Sequence, residues 1–420
     1  MQDLISKLNG GSKEDRLLAL ENLIKAEADK PTRRDNDANN HIHTIYSFSP
    51  YSPTKAAYMA YSAGLTSAGI MDHDSLSGVE EFKRACEIVG LGSTCGVEVR
   101  CKFDRGFGKI NHPDQANCIY MAAHGIPKQN VKAFNEYLDF YRKKRNERNA
   151  KMCQLITGKF GKFGVELDFE KDVLPLSESK DGGSVTERHL LYALAVKLDQ
   201  KFGRTNELIS FLENDLNLKV SEKIKGFLLD KNNEHFLYDL LGVLKADTAF
   251  FYIDADEEMP MAEEFVKKAI ELGAIPAYAY LGDVGDSVTG DKKAQKFEDD
   301  FLPELIKEIK AIGFKAVAYM PTRNTPEQLK RISALCKENG LFEISGEDIN
   351  SPRQKFACAA LALAENAHLI DATWALIGHE AISTEKGVEY GMFSKESIEQ
   401  TPDLYERIQK FAKIGHSTIK

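Results

Sequence analysis

Imidazole and carboxylate groups stand at the ends of two predicted strands early in the chain. His41 and His43 are two residues apart, and the apolar run 66–71 is followed directly by Asp72 and His73. Because alternate residues of a strand point to the same side, both rings of the first pair can aim at one point. A second strand that ends in Asp-His brings another nitrogen and another carboxylate to that point. The sequence therefore predicts a metal site built from strand ends.

Strand-like runs alternate with helix-like runs over most of the chain, a pattern typical of parallel strands with helices outside. The first predicted strand ends at His43. The other six span 66–71, 93–99, 117–123, 274–280, 315–320 and 341–345. Seven strand–helix units predict an α/β barrel, in which the chemistry lies at the carboxyl ends of the strands. The metal-capable side chains at those ends are His41, His43, Asp72, His73, Glu98, His124, Tyr280 and Asp348.

The alternation of strands and helices begins after an N-terminal extension and is interrupted once. Residues 1–35 predict an N-terminal extension with one amphipathic helix, and residues 128–260 have a mainly helical pattern. We expect the first part of the barrel at 36–127, a mainly helical insertion at 128–260, and the rest of the barrel with C-terminal helices at 261–420. A capping box is predicted at Ser77 and Glu80.

Composition restricts the partners. The net charge of −9 argues against a protein that binds a nucleic-acid duplex through its phosphates. No apolar run approaches the ~18 residues of a membrane span, and the N-terminus lacks the apolar core of a signal peptide. The seven cysteines form no CxxC pair. We expect a reduced, cytoplasmic protein without a membrane partner, and the sequence leaves its oligomeric state open.

Several motifs together resemble the PHP (polymerase and histidinol phosphatase) superfamily. They are HIHT, a Ser-Pro segment before a helix, GIMDHDSLSG, GVEVR and GEDIN, and they span about residues 39–365 in the family's order. The likeness is to the stand-alone metal-dependent phosphoesterases of that superfamily. It implies a distorted (β/α)7 barrel that holds two or three Mn, Zn, Fe or Mg ions and hydrolyses phosphate esters.

The resemblance also implies a ligand set. His41, His43, Glu98 and Asp348 would hold one ion, and Glu98 would bridge to a second ion that also takes His124. His73 corresponds to a third position in members with three ions.

The chain departs from the family pattern at four places. Phe48 follows Ser47 where the family has Asp, Asn350 stands for a His, and Tyr280 stands for the His of the fifth strand. The Arg of a further motif falls one position late, at Arg188 beside His189. The resemblance therefore implies two divalent ions with the third position eroded, and His189 and Tyr280 are additional candidate ligands.

The expected activity is hydrolysis of a small phosphorylated metabolite or nucleotide by metal-activated water. Glu98 would bridge the ions, Asp72 would orient a ring, and His73 would protonate the leaving oxygen. The candidate phosphate-binding residues are Arg145, Arg148, Arg188, Arg353 and Asn350. Two alternatives stay open, a PHP-fold protein that binds metal or a phosphorylated ligand without turnover and an amidohydrolase-like deacetylase.

Overall fold

The computed structural model describes residues 2–27, 30–34, 36–112, 114–285 and 295–419. Seven strands lie in one sheet in chain order. Numbered β1 to β7, they are Ala38–Ile42, Ser67–His73, Gly92–Lys102, Cys118–His124, Ile275–Tyr280, Ala316–Tyr319 and Phe342–Ser345.

Fifteen α-helices are found among the described residues, and they pack around this sheet and in the segment between β4 and β5. None of the described helices is both long enough and apolar enough to cross a membrane. Numbered α1 to α15, they are Gln2–Lys7, Lys13–Ala26, Pro53–Ser62, Val79–Val89, Val131–Phe160, Glu187–Phe202, Asn206–Ser210, Glu222–Leu229, Phe236–Leu244, Ala262–Glu271, Leu302–Ile312, Pro326–Asn339, His368–Lys386, Lys395–Gln400 and Leu404–His416.

The sheet is a nearly closed α/β barrel, as predicted, but the direction of one strand was predicted wrongly. β4 runs antiparallel to both β3 and β5, whereas the other neighbouring pairs are parallel. The physical reason is the β3–β4 connection, residues 103–117, whose described residues (103–112 and 114–117) form no helix. A parallel neighbour requires a long crossover, usually helical, whereas a loop can return the chain antiparallel. The carboxyl end of β4 therefore lies at the opposite end of the barrel from the other six.

The barrel closes where the chain after β7 meets β1. Ile349 accepts a backbone hydrogen bond from the end of β1 at 2.9 Å and donates another at 3.1 Å. The side-chain amide of Asn39 hydrogen-bonds to the N–H and C=O of Glu347, both at 3.0 Å, as a strand partner would. Gly346 permits this approach, because a Cβ there would lie 2.7 Å from the Cβ of His41.

The N-terminal segment forms two helices rather than the predicted one. Arg16 of α2 forms a buried ion pair with Glu81 of α4 at 2.6 Å, which attaches the segment to the barrel's outer layer. Glu81 also accepts from Thr54 at the start of α3. The capping box predicted at Ser77 and Glu80 is absent, because α4 begins after Gly78 with no side-chain cap. All seven cysteines are buried and unpaired.

An apolar cluster fills the amino-terminal end of the barrel and includes one face of α13. Ile275, Phe342 and Ile344 of the strands pack with Trp374 and Leu376 of that helix. α13 in turn crosses α15 at two glycines. A Cβ on Gly378 would collide with the carbonyl oxygen of Phe411, and one on Gly415 with the carbonyl oxygen of Trp374.

We expect Gly378→Ala to lower the free energy of unfolding by ~1–3 kcal/mol or more, because backbone at a helix crossing cannot move aside as a flexible side chain can. Urea denaturation measures the change. Gly158→Ala is the matched control, since Gly158 is exposed in the interior of α5 and nothing lies within 4 Å of its missing Cβ. The control should gain up to ~1 kcal/mol from helix propensity. An equal change in the free energy of unfolding for the two substitutions would contradict the close contact of α13 and α15 at Gly378.

A buried carboxyl lies behind the end of β5. Glu298 is fully buried and accepts hydrogen bonds from the Tyr278 hydroxyl at 3.0 Å and from the Leu281 backbone N–H at 2.8 Å, both on Oε1. Its Oε2 has no hydrogen-bond partner among the described residues. Burial raises the pKa of Glu298 from 4.5 to about 7, although the hydrogen bonds oppose the rise.

This raised pKa predicts a pH-dependent stability. Between pH 4.5 and 7 the folded chain keeps a proton on Glu298 that the unfolded chain releases, so stability falls as pH rises through this window. Glu298→Gln should remove a pH-dependent difference of up to ~3 kcal/mol between pH 5 and pH 8, measured by denaturation at both values. Glu308→Gln, an exposed position on α11, should leave the wild-type pH dependence intact.

Candidate metal centre

Five imidazole and carboxylate side chains converge at the carboxyl end of the barrel. His41 Nε2 lies 3.2 Å from His43 Nε2, which lies 3.2 Å from Asp348 Oδ1. His73 Nδ1 lies 3.1 Å from Glu98 Oε2, and this oxygen is 3.6 Å from His41 Nε2 and 3.8 Å from His43 Nε2. Two triads result, in each of which the ligand atoms lie within 4.8 Å of one another: His41, His43 and Asp348, and His43, His73 and Glu98.

The ring of His43 is fixed by a chain of hydrogen bonds that begins at Asp72. This carboxylate accepts from the Thr44 N–H, the Thr44 hydroxyl and the Ser47 hydroxyl, each at 2.6 Å. Ser47 has one proton and gives it to Asp72, so its oxygen must accept from His43 Nδ1, 3.2 Å away. In the neutral ring, His43 Nε2 therefore presents a lone pair to the cluster.

That lone pair faces another acceptor. The carboxylate oxygen of Asp348 is 3.2 Å from His43 Nε2, and two acceptors at this distance repel unless a positive charge lies between them. Mixed imidazole and carboxylate groups are the donor set that Zn, Mn and Fe accept. The residues present thus fit a divalent metal ion.

The carboxylates are ionised and one imidazole is neutral, as metal ligands must be. Burial opposes ionisation of Glu98, but the adjacent positive charge of His41 outweighs it and lowers the pKa of Glu98 to about 2. Burial likewise opposes ionisation of Asp348, but hydrogen bonding and positive charge from His43, when that ring carries a second proton, hold the pKa of Asp348 well below its ordinary value. Burial lowers the pKa of His73 to about 3, which keeps this ring neutral.

Two of the predicted catalytic residues have contacts that bear on their roles. Asp72 accepts hydrogen bonds from Thr44 and Ser47 and so positions His43, in agreement with the predicted role of orienting a ring. His73 belongs to the cluster itself, because its Nδ1 contacts Glu98, and its role as an acid stays a prediction.

His124 lies deeper in the barrel than the cluster. It pairs with Gly96, two residues before Glu98 on β3, so it is on the same inward face about 7 Å further down. Neither of its ring nitrogens has a hydrogen-bond partner among the described residues. It lines a small cavity with His41 and Glu98 but belongs to neither triad. The prediction that it stands at the rim was wrong, because β4 is antiparallel.

The residue that β4 does bring to the rim is Tyr120, which the sequence analysis missed. It pairs with Arg100, two residues beyond Glu98, and its ring centroid is 6.1 Å from that of His73. Its other face stacks on His112 at 5.1 Å. The helix-free stretch 103–117 was the available signal, since it indicates that the next strand starts, and does not end, at this rim.

Both additional candidate ligands have structural partners. The Tyr280 hydroxyl donates to Asp299 Oδ1 at 2.7 Å, on the helix-facing side of the sheet. His189 Nδ1 accepts from the Thr186 backbone N–H at 3.0 Å at the start of α6, and its ring packs edge-on against Phe48. Neither residue lies in a described triad.

Among the candidate phosphate-binding arginines, Arg145 and Arg148 are buried and paired with carboxylates. Arg145 contacts Asp74 at 2.9 Å, and Arg148 contacts Glu258 at 2.9 Å as well as Glu187. These pairs attach α5 and α6 to the barrel rim. The geometry favours this structural role over the predicted phosphate contacts.

Arg353 and Asn350 also have partners, whereas Arg188 has none. Arg353 makes two bonds to Asp239, at 2.7 and 2.8 Å. The Asn350 amide donates to Asp348 Oδ1 at 2.5 Å and so orients a carboxylate of the cluster. Arg188 makes no hydrogen bond or ion pair with any residue that the structure describes, and it lines the cleft beside the cluster.

This cleft has a volume of about 470 Å³ and opens directly on the cluster. Its walls come from the barrel rim and from the segment between β4 and β5. His73, Glu98 and Asp348 lie at one part of its lining, with Tyr120, Tyr252 and Phe297 elsewhere along it. A volume in this range suits a whole small-molecule ligand.

No protein-family model matches this chain. It is 31% identical over 64 residues to a 5'-3' exoribonuclease from Haemophilus influenzae, which covers 15% of this chain and 23% of that protein, so less than a quarter of the relative is spanned.

Two solved structures are similar to the chain. One is a "putative metal-dependent phosphoesterase" from Bifidobacterium adolescentis, with a TM-score of 0.51 and 17% identity over 80% of this chain and 96% of that one. The other is an amidohydrolase from Chromobacterium violaceum, with a TM-score of 0.50 and 16% identity over 76% and 89%. At these identities the likeness shows a shared fold.

The hydrogen-bond chain to His43 predicts a positioning role for Ser47. Ser47→Ala should weaken the affinity for Zn²⁺ or Mn²⁺ roughly 10- to 100-fold with the fold intact, because His43 loses the acceptor that selects its tautomer. Metal titration by calorimetry measures it. Ser49→Ala is the matched control, since the Ser49 hydroxyl is buried without a described partner. An affinity unchanged by Ser47→Ala would contradict this role.

Proposed function

We propose that the protein is a metal-dependent phosphoesterase that hydrolyses a small phosphorylated metabolite or nucleotide. The observation that carries the proposal is the convergence of His41, His43, His73, Glu98 and Asp348 beside a cleft lined by Arg188, which has no ion-pair partner among the described residues. The fold shared with the Bifidobacterium phosphoesterase agrees with it, as does the short match to an enzyme that acts on RNA.

We infer places for two ions. The triads share His43, and one nitrogen binds one ion, so the triad of His41, His43 and Asp348 would hold the first. His73 and Glu98 would then serve the second, with Glu98 near enough to both to bridge them. This assigns to His73 the place that the family resemblance gave to His124. Divalent ions held there would supply Lewis acidity toward the phosphoryl oxygens and acidify water.

The chain's own groups would hold and orient the ester. Arg188 would approach phosphoryl oxygens with a guanidinium that no carboxylate occupies. Asn350 and Ser47 keep Asp348 and His43 aimed at the cluster. The cleft walls would enclose the alcohol part of the substrate and exclude bulk water from it.

The two alternative functions, a deacetylase and a binding protein without turnover, require different features of the site. A deacetylase of the amidohydrolase kind favours a His on the fifth strand, and β5 offers Tyr280, whose hydroxyl is bound to Asp299. A protein that only binds metal or a phosphorylated ligand needs the cluster but gives no product. Turnover of a phosphate-ester panel with purified protein and added Mn²⁺ or Zn²⁺ separates the latter from an enzyme.

His41→Ala should abolish both metal binding and phosphate release from p-nitrophenyl phosphate, a loss of at least ~10³-fold in kcat/KM, because it removes a nitrogen that faces both carboxylates. Metal content by mass spectrometry and a phosphate assay measure the two losses. His235→Ala, at a half-buried position outside both triads and outside the cleft lining, should keep both. Retention of metal and activity in His41→Ala would end the proposal.

A further inference from the structure

Three cationic side chains from distant parts of the chain line the cleft beside the cluster. Arg188 is in the first turn of α6, Lys245 follows α9, and Arg323 follows β6. Their side chains border the same space as Glu98 and Asp348. The fold therefore collects positive charge at the cleft from segments that are separate in sequence.

None of these three cations forms an ion pair within the part of the chain that the structure describes. Arg188 and Lys245 make no hydrogen bond or ion pair with any described residue. Arg323 donates to the Leu281 carbonyl at 3.1 Å and lies over the Phe297 ring at 5.3 Å, with no carboxylate partner among the described residues. The nearby guanidinium of Arg188 lowers the pKa of Lys245, as expected for two cations that face each other.

The other charged groups of the cleft are already engaged. Arg100 is paired with Glu187, and Arg145 with Asp74. The carboxylates of the cluster would be taken by metal ions. This leaves Asp114 as the remaining carboxylate of the described lining against three cations, so the cleft is selective for anions.

We propose that Lys245 and Arg323 form a subsite for a second anionic group on the substrate, in addition to the phosphoryl group held at the cluster and by Arg188. The substrate class is then a small phosphate monoester that also carries a phosphate or a carboxylate. This inference rests on the proposed function for the identity of the first group. One phosphoryl group held by two ions and Arg188 leaves Lys245 and Arg323 unused, and a cleft of about 470 Å³ has room for both ends of such a molecule.

The test compares three esters of similar size, namely glycerol 3-phosphate, 3-phosphoglycerate and 2,3-bisphosphoglycerate. Lys245→Met and Arg323→Met should raise KM roughly 10- to 100-fold for the two acids that carry a second anion, because each variant loses a charged contact, and should leave kcat and the glycerol 3-phosphate KM unchanged. Lys219→Met, which removes an exposed lysine away from the cleft, is the control. The acid whose KM rises more identifies the second anionic group of the substrate as a carboxylate or a phosphate.

A KM raised equally for all three esters would overturn the subsite, because the cations would then hold the scissile phosphate. Unchanged KM values for every ester would overturn it as well. Calorimetric binding of 2,3-bisphosphoglycerate and of inorganic phosphate to the full chain separates this inference from the proposed function. If no ester is hydrolysed but both variants lose affinity for the bisphosphate alone, the subsite stands and the phosphoesterase proposal fails.

Discussion

The central constraint on this structure is the close approach of carboxylate and imidazole groups at the carboxyl end of the barrel. Two ionised carboxylates and three imidazoles occupy a space only a few ångströms across, and the hydrogen bond from His43 to Ser47 leaves a nitrogen lone pair directed at Asp348. Groups with only acceptors to offer one another repel when water is excluded. A divalent cation converts this repulsion into coordination, so the cluster is intelligible as a binding site and costly as a structural feature.

The surrounding fold supplies the rigidity that such an arrangement requires. The cluster draws on four separate strand ends, and the end that carries Asp348 is positioned by the closure of β7 onto β1. The Asn39 amide extends this closure beyond the last regular strand pair. At the opposite end, α13 packs against the interior apolar cluster. Each ligand is therefore placed by backbone hydrogen bonds and a packed core, and the metal has only to complete the site.

The sequence predicted the strands well because most of them are short runs rich in apolar residues, and the family resemblance then indicated His41, His43, Glu98 and Asp348 as ligands. It failed at β4, where an apolar run has no visible direction. The ending Ala-Ala-His looked like the other strand ends, yet the antiparallel course carries His124 inward and Tyr120 to the rim. Likewise, no local pattern reveals that Arg145 and Arg148 meet carboxylates of distant segments or that Arg188 meets none.

The residues that depart from the family pattern have acquired structural partners. Phe48 packs on His189, Tyr280 is bound to Asp299, and Asn350 donates to Asp348. Buried polar groups without partners are costly, and the Tyr280 hydroxyl and the Asn350 amide both have a partner. Two of the three side chains fill space or satisfy a neighbour away from the cluster, and the third orients a carboxylate within it. The five converging imidazole and carboxylate groups therefore keep their arrangement without the ligands that the resemblance would add, and the cationic side chains of the cleft lie beside them.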